Sequence, residues 1–398
     1  MTIQITICGG GNAAHTLAGI LAAQPANRVN VYLSLQAELI QWKEGIQAQG
    51  GIVVRRGQSQ IIGRPERISA EPADAVPGAQ LILLALPAFA HESVLQEITP
   101  YLDQGAWIGA LPARGCFDLC ARMVLGERYA EMVIFGLQTL PWACRVQRYG
   151  REAIILGTKA SVDLAAWPAE RGGEMASVLG NLLNLDLKSI SSFLSLTLAG
   201  TGQLIHPGIM YGLFHHWDGE PFVEAPLFYQ GIDASTADIL QALSDEVQSI
   251  RRRLVEISPD LDLSAVRPLA EWLRHSYEND IADRSSLQAA LVTNRGYAGL
   301  KAPMRSQDGG LYPDFQARYL SEDVPYALVA TRGIAELAGV PTPTMERVIT
   351  WAQDKLGKEY LVAGSLRGRD VSDSRAPQRF GIDTLENLFA CYTVMVDT

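Results

Sequence analysis

The 398-residue chain has only six lysines, five cysteines and no long apolar run, and each shortage excludes something. Cys8, Cys116, Cys120, Cys144 and Cys391 are odd in number and scattered, with no CxxC pair. That pattern is neither a disulfide framework nor a zinc ribbon, and no metal site is expected. The longest apolar stretch, residues 81–90, is about half of what a bilayer crossing requires, and it contains Pro87. Met1 leads straight into a strand-like segment, so no signal peptide is expected. A cytoplasmic chain without a membrane partner follows. Positive charge is also short: 33 Lys and Arg against 43 Asp and Glu give a net charge of −10. This rules out a nucleic-acid footprint and a polybasic lipid-binding surface. Of the basic residues 27 are arginines, the side chain that grips carboxylates in a fork, although coding bias is the simpler source of the excess. With 48% hydrophobic and 19% charged residues, the chain is an ordinary globular protein with length for two or three domains.

The first half alternates strands and helices. Residues 3–8 read as a strand, 13–23 as a helix and 28–33 as a second strand. Residues 81–86 form an apolar run suited to a strand buried on both faces, and 107–111 and 132–137 read as further strands of the same sheet. Residues 153–157 are expected to add one more. Alternation at this spacing predicts a doubly wound, mostly parallel α/β sheet of the Rossmann type over 1–190. From about residue 191 the texture becomes helical, and 191–398 is expected to be an all-α domain. Ser235 and Asp238 stand in a capping-box-like spacing ahead of Ile239, Leu243, Val247, Ile250 and Leu254 at helical period. Further helices are expected around Leu269–Tyr277, 287–291, 326–337 and 344–356, and residues 302–313 read as an irregular loop.

The sharpest local signal is Gly9-Gly10-Gly11-Asn12-Ala13-Ala14, a GxGxxA pattern between a strand and a helix. Gly9 permits the tight turn, Gly11 removes the Cβ that would block a diphosphate, and Ala14 lets the helix pack closely on the strand. Backbone N–H groups and the helix dipole then stabilise the negative charge. These residues form the expected dinucleotide site. The second strand ends at Leu33-Ser34-Leu35, with no acid for a ribose hydroxyl and no arginine for a 2′-phosphate. NAD is chosen for want of a basic residue near Ser34, and NADP stays open. His15 reads as packing beside the turn. Leu86-Pro87-Ala88-Phe89 follows a buried strand at its carboxyl end, where ligands bind in such sheets, and is assigned to the cofactor. His91 reads as holding that loop.

No lysine occurs between Lys188 and Lys301, which disfavours a lysine proton donor and leaves the histidines. His206 precedes Pro207 at an expected helix start, while His215 and His216 read as surface residues. Several motifs now carry a resemblance. They are Phe89-Ala-His-Glu92, Thr139-Leu-Pro-Trp-Ala-Cys144, Ile205-His-Pro207, Trp217-Asp-Gly219, Glu224-Ala-Pro-Leu-Phe-Tyr-Gln-Gly-Ile-Asp233, Arg318-Tyr-Leu-Ser-Glu-Asp323 and Gly357-Lys-Glu-Tyr-Leu-Val362. In this order, across nearly the whole chain, they resemble the octopine dehydrogenase family. The resemblance implies an NAD(P)-dependent opine dehydrogenase. Such enzymes condense a 2-oxo acid with the amine of an amino acid and reduce the imine to a secondary amine. It also implies that His206 is the acid/base and that Asp323 orients it. From the residues alone, an N-cap ahead of Val324-Pro325 is the simpler role for Asp323.

Two departures matter. Arg114 stands where the family's octopine-forming enzymes carry a glutamine that contacts the oxo acid; it serves either as a carboxylate fork or as a solvated loop arginine. Gln138 stands where they carry a glutamate for a cationic amine, which puts arginine in doubt as the substrate. Thr139 and Cys144 match substrate-contacting positions, Arg318 is a further carboxylate partner, and Trp272 lines the amine pocket or is simply core. The departures leave room for an imine reductase of secondary metabolism, and a non-catalytic dinucleotide-binding protein is the third reading. A monomer or homodimer is expected.

Overall fold

A computed structural model describes residues 2–392. The chain divides into two compact units. The first takes in the chain to Ala113 and Phe117–Leu196; the second takes in Arg114–Cys116 and the chain from Thr197 onward.

In the first unit the strands are β1 (Ile3–Cys8), β2 (Asn27–Tyr32), β3 (Ile52–Arg56), β4 (Ser59–Gly63), β5 (Arg67–Ser69), β6 (Leu81–Leu84), β7 (Trp107–Ala110), β8 (Val133–Leu137), β9 (Trp142–Arg148), β10 (Glu152–Thr158), β11 (Ser161–Trp167) and β12 (Asp186–Ser189). Eight of them form one sheet in the order β12-β11-β8-β7-β6-β1-β2-β5. Every neighbouring pair is parallel except β11 with β8. The central strands are apolar because helices cover both faces: Leu81 to Leu84 of β6 are all buried, as are Ile5 and Ile7 of β1. The strand order reverses at β1, between β2 and β6, so the carboxyl ends there open the crevice in which such sheets bind ligands.

The strand expected at 153–157 exists but belongs elsewhere. β10 pairs with β3 and β9 in a separate four-stranded sheet, β4-β3-β10-β9. A run of alternating residues shows a strand but not its partners, and β3, β4 and β9 carry no motif that announces them. This small sheet covers the helix α1 (Asn12–Ala22) on the side away from the large sheet.

The second unit is helical. Helix Gly202–Phe214 packs on the long helix Ala234–Ile257, and Pro343–Leu356 lies against both. Three expectations change here. Asp233, not Ser235, caps the long helix: its Oδ1 accepts from the Thr236 N–H at 2.8 Å and from the Thr236 hydroxyl at 2.7 Å. Pro207 lies inside its helix rather than at the start, because Thr201 is the N-cap. The expected loop at 302–313 contains a β-hairpin, Met304–Gln307 with Gly310–Pro313. Among the described residues no helix is long and apolar enough to cross a membrane.

Candidate active site

The first element of the site is the glycine turn. β1 delivers the chain to Gly9, whose φ of +122° is the left-handed region that glycine alone enters freely. A Cβ there would also lie 2.7 Å from the Ala85 carbonyl oxygen. Gly11, by contrast, would present its Cβ to open space, and Gly11 and Asn12 are exposed while Ala13 and Ala14 are buried against the sheet. This is the shape a dinucleotide requires, with one tight glycine, one open face and a helix N-terminus with no acidic residue in its first turn. The residues present therefore fit the expected cofactor. Asn12 adds a tether, its Oδ1 accepting from the Val146 N–H at 2.8 Å.

The loop after β6 lies beside the turn. Ala88 is buried, Leu86 and Pro87 are half-buried and Phe89 is 55% exposed. His91 is buried, and its Nε2 lies 3.2 Å from the Leu86 carbonyl, which holds this loop. Ser34 is exposed just beyond β2. An acidic side chain does approach the turn, from a position sequence reasoning missed. Glu38 sits in the first turn of α2 (Gln36–Gln49), and a Cβ on Gly10 would run into its carboxylate and into the Tyr149 hydroxyl. A search confined to the end of β2 stops before it.

Gln138 and Thr139 follow β8, half-buried, and the Gln138 N–H donates to the Asp163 carbonyl at 3.0 Å. Cys144 is buried in β9, and burial raises its thiol pKa. Its side chain is thus part of the packing beneath α1. Lys159 reaches the same loop, donating from Nζ to the Leu140 carbonyl at 2.9 Å. Burial lowers its pKa to about 8.

The second element lies wholly in the helical unit. His206 Nδ1 is 2.7 Å from Asp323 Oδ2, and His206 Nε2 is 3.0 Å from the Tyr229 hydroxyl. A carboxylate can only accept, so Nδ1 carries the proton and donates it, and the bare Nε2 accepts from the phenol. Burial holds the Tyr229 pKa well above its ordinary value, so the phenol stays protonated and can donate. Tyr319 stacks on the imidazole with ring centroids 4.2 Å apart, and Tyr297 stacks on Tyr229 at 4.0 Å. Ring orientation is therefore set by packing as well as by hydrogen bonds. Asp323 stands at the N-cap position of the turn Val324–Leu328, yet its side chain caps nothing. The simple capping role is overturned; its carboxylate is 1% exposed and points to His206 and Arg114.

Arg114 does not float in solvent. Its Nη1 lies 2.8 Å from Asp323 Oδ1 and its Nε 3.3 Å from Glu322 Oε1. The opposite oxygen of Glu322 pairs with Arg318 Nε. One buried carboxylate thus links an arginine that is 19% exposed to one that is 56% exposed. Burial opposes the charge on Arg114, but the Asp323 and Glu322 carboxylates outweigh it and keep its pKa above the usual guanidinium value. Arg114 pays for this position with a φ of +60°. The backbone is held by its neighbours, with Gly115 N–H donating to the Tyr326 carbonyl at 2.8 Å and Cys116 N–H to the Thr197 hydroxyl at 2.9 Å. Trp272 is half-buried on helix Leu269–Ser276, edge-on to Tyr277, and is not among the groups gathered at His206.

Sequence comparison finds what these two elements lead one to expect. A family model for the NAD/NADP octopine/nopaline dehydrogenase alpha-helical domain matches residues 189–356. Octopine dehydrogenase of Mizuhopecten yessoensis is 40% identical over 97% of this chain and 98% of its own. The chain belongs to the octopine dehydrogenase family. It is an NAD(P)-dependent oxidoreductase acting on a CH–NH group. Tauropine dehydrogenase of Arabella iricolor is 35% identical over 97% of this chain and 100% of its own. A solved structure of octopine dehydrogenase with NADH and L-arginine superposes with a TM-score of 0.90 and 36% identity, covering 100% of both chains. Among the described residues no cluster of three or more His, Cys, Asp or Glu side chains could hold a metal ion.

Proposed function

We propose that this chain is an opine dehydrogenase that condenses a pyruvate-like 2-oxo acid with the amine of an amino acid and reduces the imine to a secondary amine. The observation that carries the reading is His206 held between Asp323 and Tyr229, a proton exchanger with its tautomer fixed. Residues 1–190 hold the dinucleotide and 191–398 supply the acid/base machinery. Gly9–Ala14, with the 86–89 loop and the region of Ser34, carry the cofactor. NAD is preferred, because a 2′-phosphate would meet the Glu38 carboxylate near Gly10. NADH, when bound, supplies the hydride.

The residues of this chain handle the proton and the carboxylates. His206, protonated at Nε2, polarises the oxo group and gives its proton to the departing hydroxyl, which leaves as water when the imine forms. Asp323 stabilises the imidazolium and keeps the ring aimed. Arg114 and Arg318, spaced by Glu322, present their remaining N–H groups to substrate carboxylates. Gln138 and Thr139 belong to the amine side. Since Gln138 is uncharged, the amine partner is an amino acid whose side chain carries no positive charge. The enzyme works as a monomer or homodimer in the cytoplasm.

A panel of 2-oxo acids against amines, scored by NADH and NADPH oxidation, tests this. Turnover of pyruvate with small neutral amino acids is expected. No turnover of any 2-oxo acid with any amino acid, in the presence of bound NADH, overturns it.

A further inference from the structure

His15 lies outside the chemistry just described, yet it is 0% exposed and hydrogen-bonded on both sides. Its Nε2 accepts from the Gly150 N–H at 2.8 Å. A nitrogen that accepts carries no proton, so the proton is on Nδ1, which donates to the Gly11 carbonyl at 2.9 Å. Trp42 and Tyr149 pack on the ring with centroids at 4.2 and 4.9 Å. Burial lowers the pKa of the imidazole to about 4, in keeping with a neutral ring.

The Gly11 carbonyl is the one that matters at a dinucleotide turn. It accepts both the His15 backbone N–H, at 3.1 Å, and the His15 side chain. The peptide joining Gly11 to Asn12 is planar and trans, so its C=O and N–H point in opposite directions. Drawing the carbonyl inward along α1 aims the Asn12 N–H outward, at the open face of the turn where a diphosphate rests. Gly150 belongs to the hairpin between β9 and β10, and β9 also holds Asn12 Oδ1 through Val146. The small sheet therefore grips the turn at two points.

We infer that His15 is a positioning residue for the cofactor: its neutral Nδ1–H tautomer links the Gly11 carbonyl to the β9–β10 hairpin and orients the glycine turn to receive the diphosphate. This rests on the chain binding NADH, which wild-type protein tests on its own. Two substitutions separate the two bonds. His15→Asn keeps a donor in place of Nδ1 and loses the acceptor for Gly150, whereas His15→Gln keeps the acceptor and loses the donor to Gly11.

NADH dissociation constants are read by fluorescence titration, with thermal melts alongside. About a tenfold weaker Kd is expected for His15→Gln, and less than threefold for His15→Asn, with the KM for the oxo acid unchanged in both. Wild-type affinity in His15→Gln overturns the inference, as does equal weakening in both variants. The ¹⁵N spectrum of the imidazole in the unmodified protein needs no variant. A proton on Nδ1, with signals that move on NADH saturation, is expected; a proton on Nε2 overturns the inference. If wild-type protein fails to bind NADH, the proposed function falls first, and the two failures stay distinct.

Discussion

Around the glycine turn negative charge is to be met by backbone, while around His206 it is met by side chains already in place. α1 has no acidic residue in its first turn, and a Cβ on Gly11 would meet nothing within 4 Å. In the helical unit two adjacent buried carboxylates, Glu322 and Asp323, are matched by Arg114, Arg318 and the Nδ1–H of His206. Backbone donors carry no formal charge and need no counter-ion, so the turn can remain open. Buried ions cannot, because an uncompensated one costs several kcal/mol. The same net charge of −10 surrounds both regions, so anion recognition is decided locally.

The largest expected effect tests which region carries the chemistry. His206→Ala should lower kcat on the order of a thousandfold while the NADH dissociation constant stays within twofold. Steady-state NADH oxidation and fluorescence titration together check this; a loss of NADH affinity equal to the loss of rate would erase the division between the two regions. Arg114→Met comes next. It leaves Asp323 and Glu322 short of a buried partner and should reduce stability by about 3 kcal/mol, read as a lower urea midpoint at unchanged slope. The exposed pair Arg28–Glu66, at 2.6 Å, offers the contrast: Arg28→Met should cost less than about 1 kcal/mol.

Acid sharpens the comparison from the other side. The folded pKa of His15 is about 4, below the value near 6.5 of an exposed histidine, so the unfolded chain takes up its proton first. Stability is therefore undiminished by this group above pH 6.5. It falls as pH drops toward 4, by at most about 3 kcal/mol, and levels off below. Denaturant titrations of wild type and His15→Asn across this range should converge at low pH. Gly9→Val is smaller still. The positive φ and the approach of the Ala85 carbonyl should weaken NADH binding by about tenfold and leave the helical unit's near-ultraviolet dichroism unchanged.

The two regions also differ in how far they could be read from residues alone. The turn is local: strand, three glycines and helix lie within the consecutive stretch Ile3–Ala22, and periodicity with steric rules suffices. Its supports are not local. Val146 and Gly150 reach it from more than a hundred residues away, and Glu38 approaches from the wrong side of Ser34 for a motif search. In the helical unit, the resemblance singled out His206 and Asp323, but the residues alone favoured a helix cap for Asp323. Tyr229 sat inside a quoted motif with no assigned task, and the structure sets its hydroxyl on Nε2. Arg114 admitted two readings, and its ion pairs with Glu322 and Asp323 dispose of the solvated one.

Length, charge balance and hydrophobic period by themselves determined the class of the molecule, a Rossmann unit followed by helices. Those properties are encoded by neighbours a few residues apart. Only the tertiary structure decided which strands share a sheet, that β10 leaves the large one for the small one, and that Arg114 belongs with residues more than two hundred positions later. Hydrogen bonds and ion pairs depend on distances of about 3 Å, and sequence separation carries no information on that scale until the chain has folded.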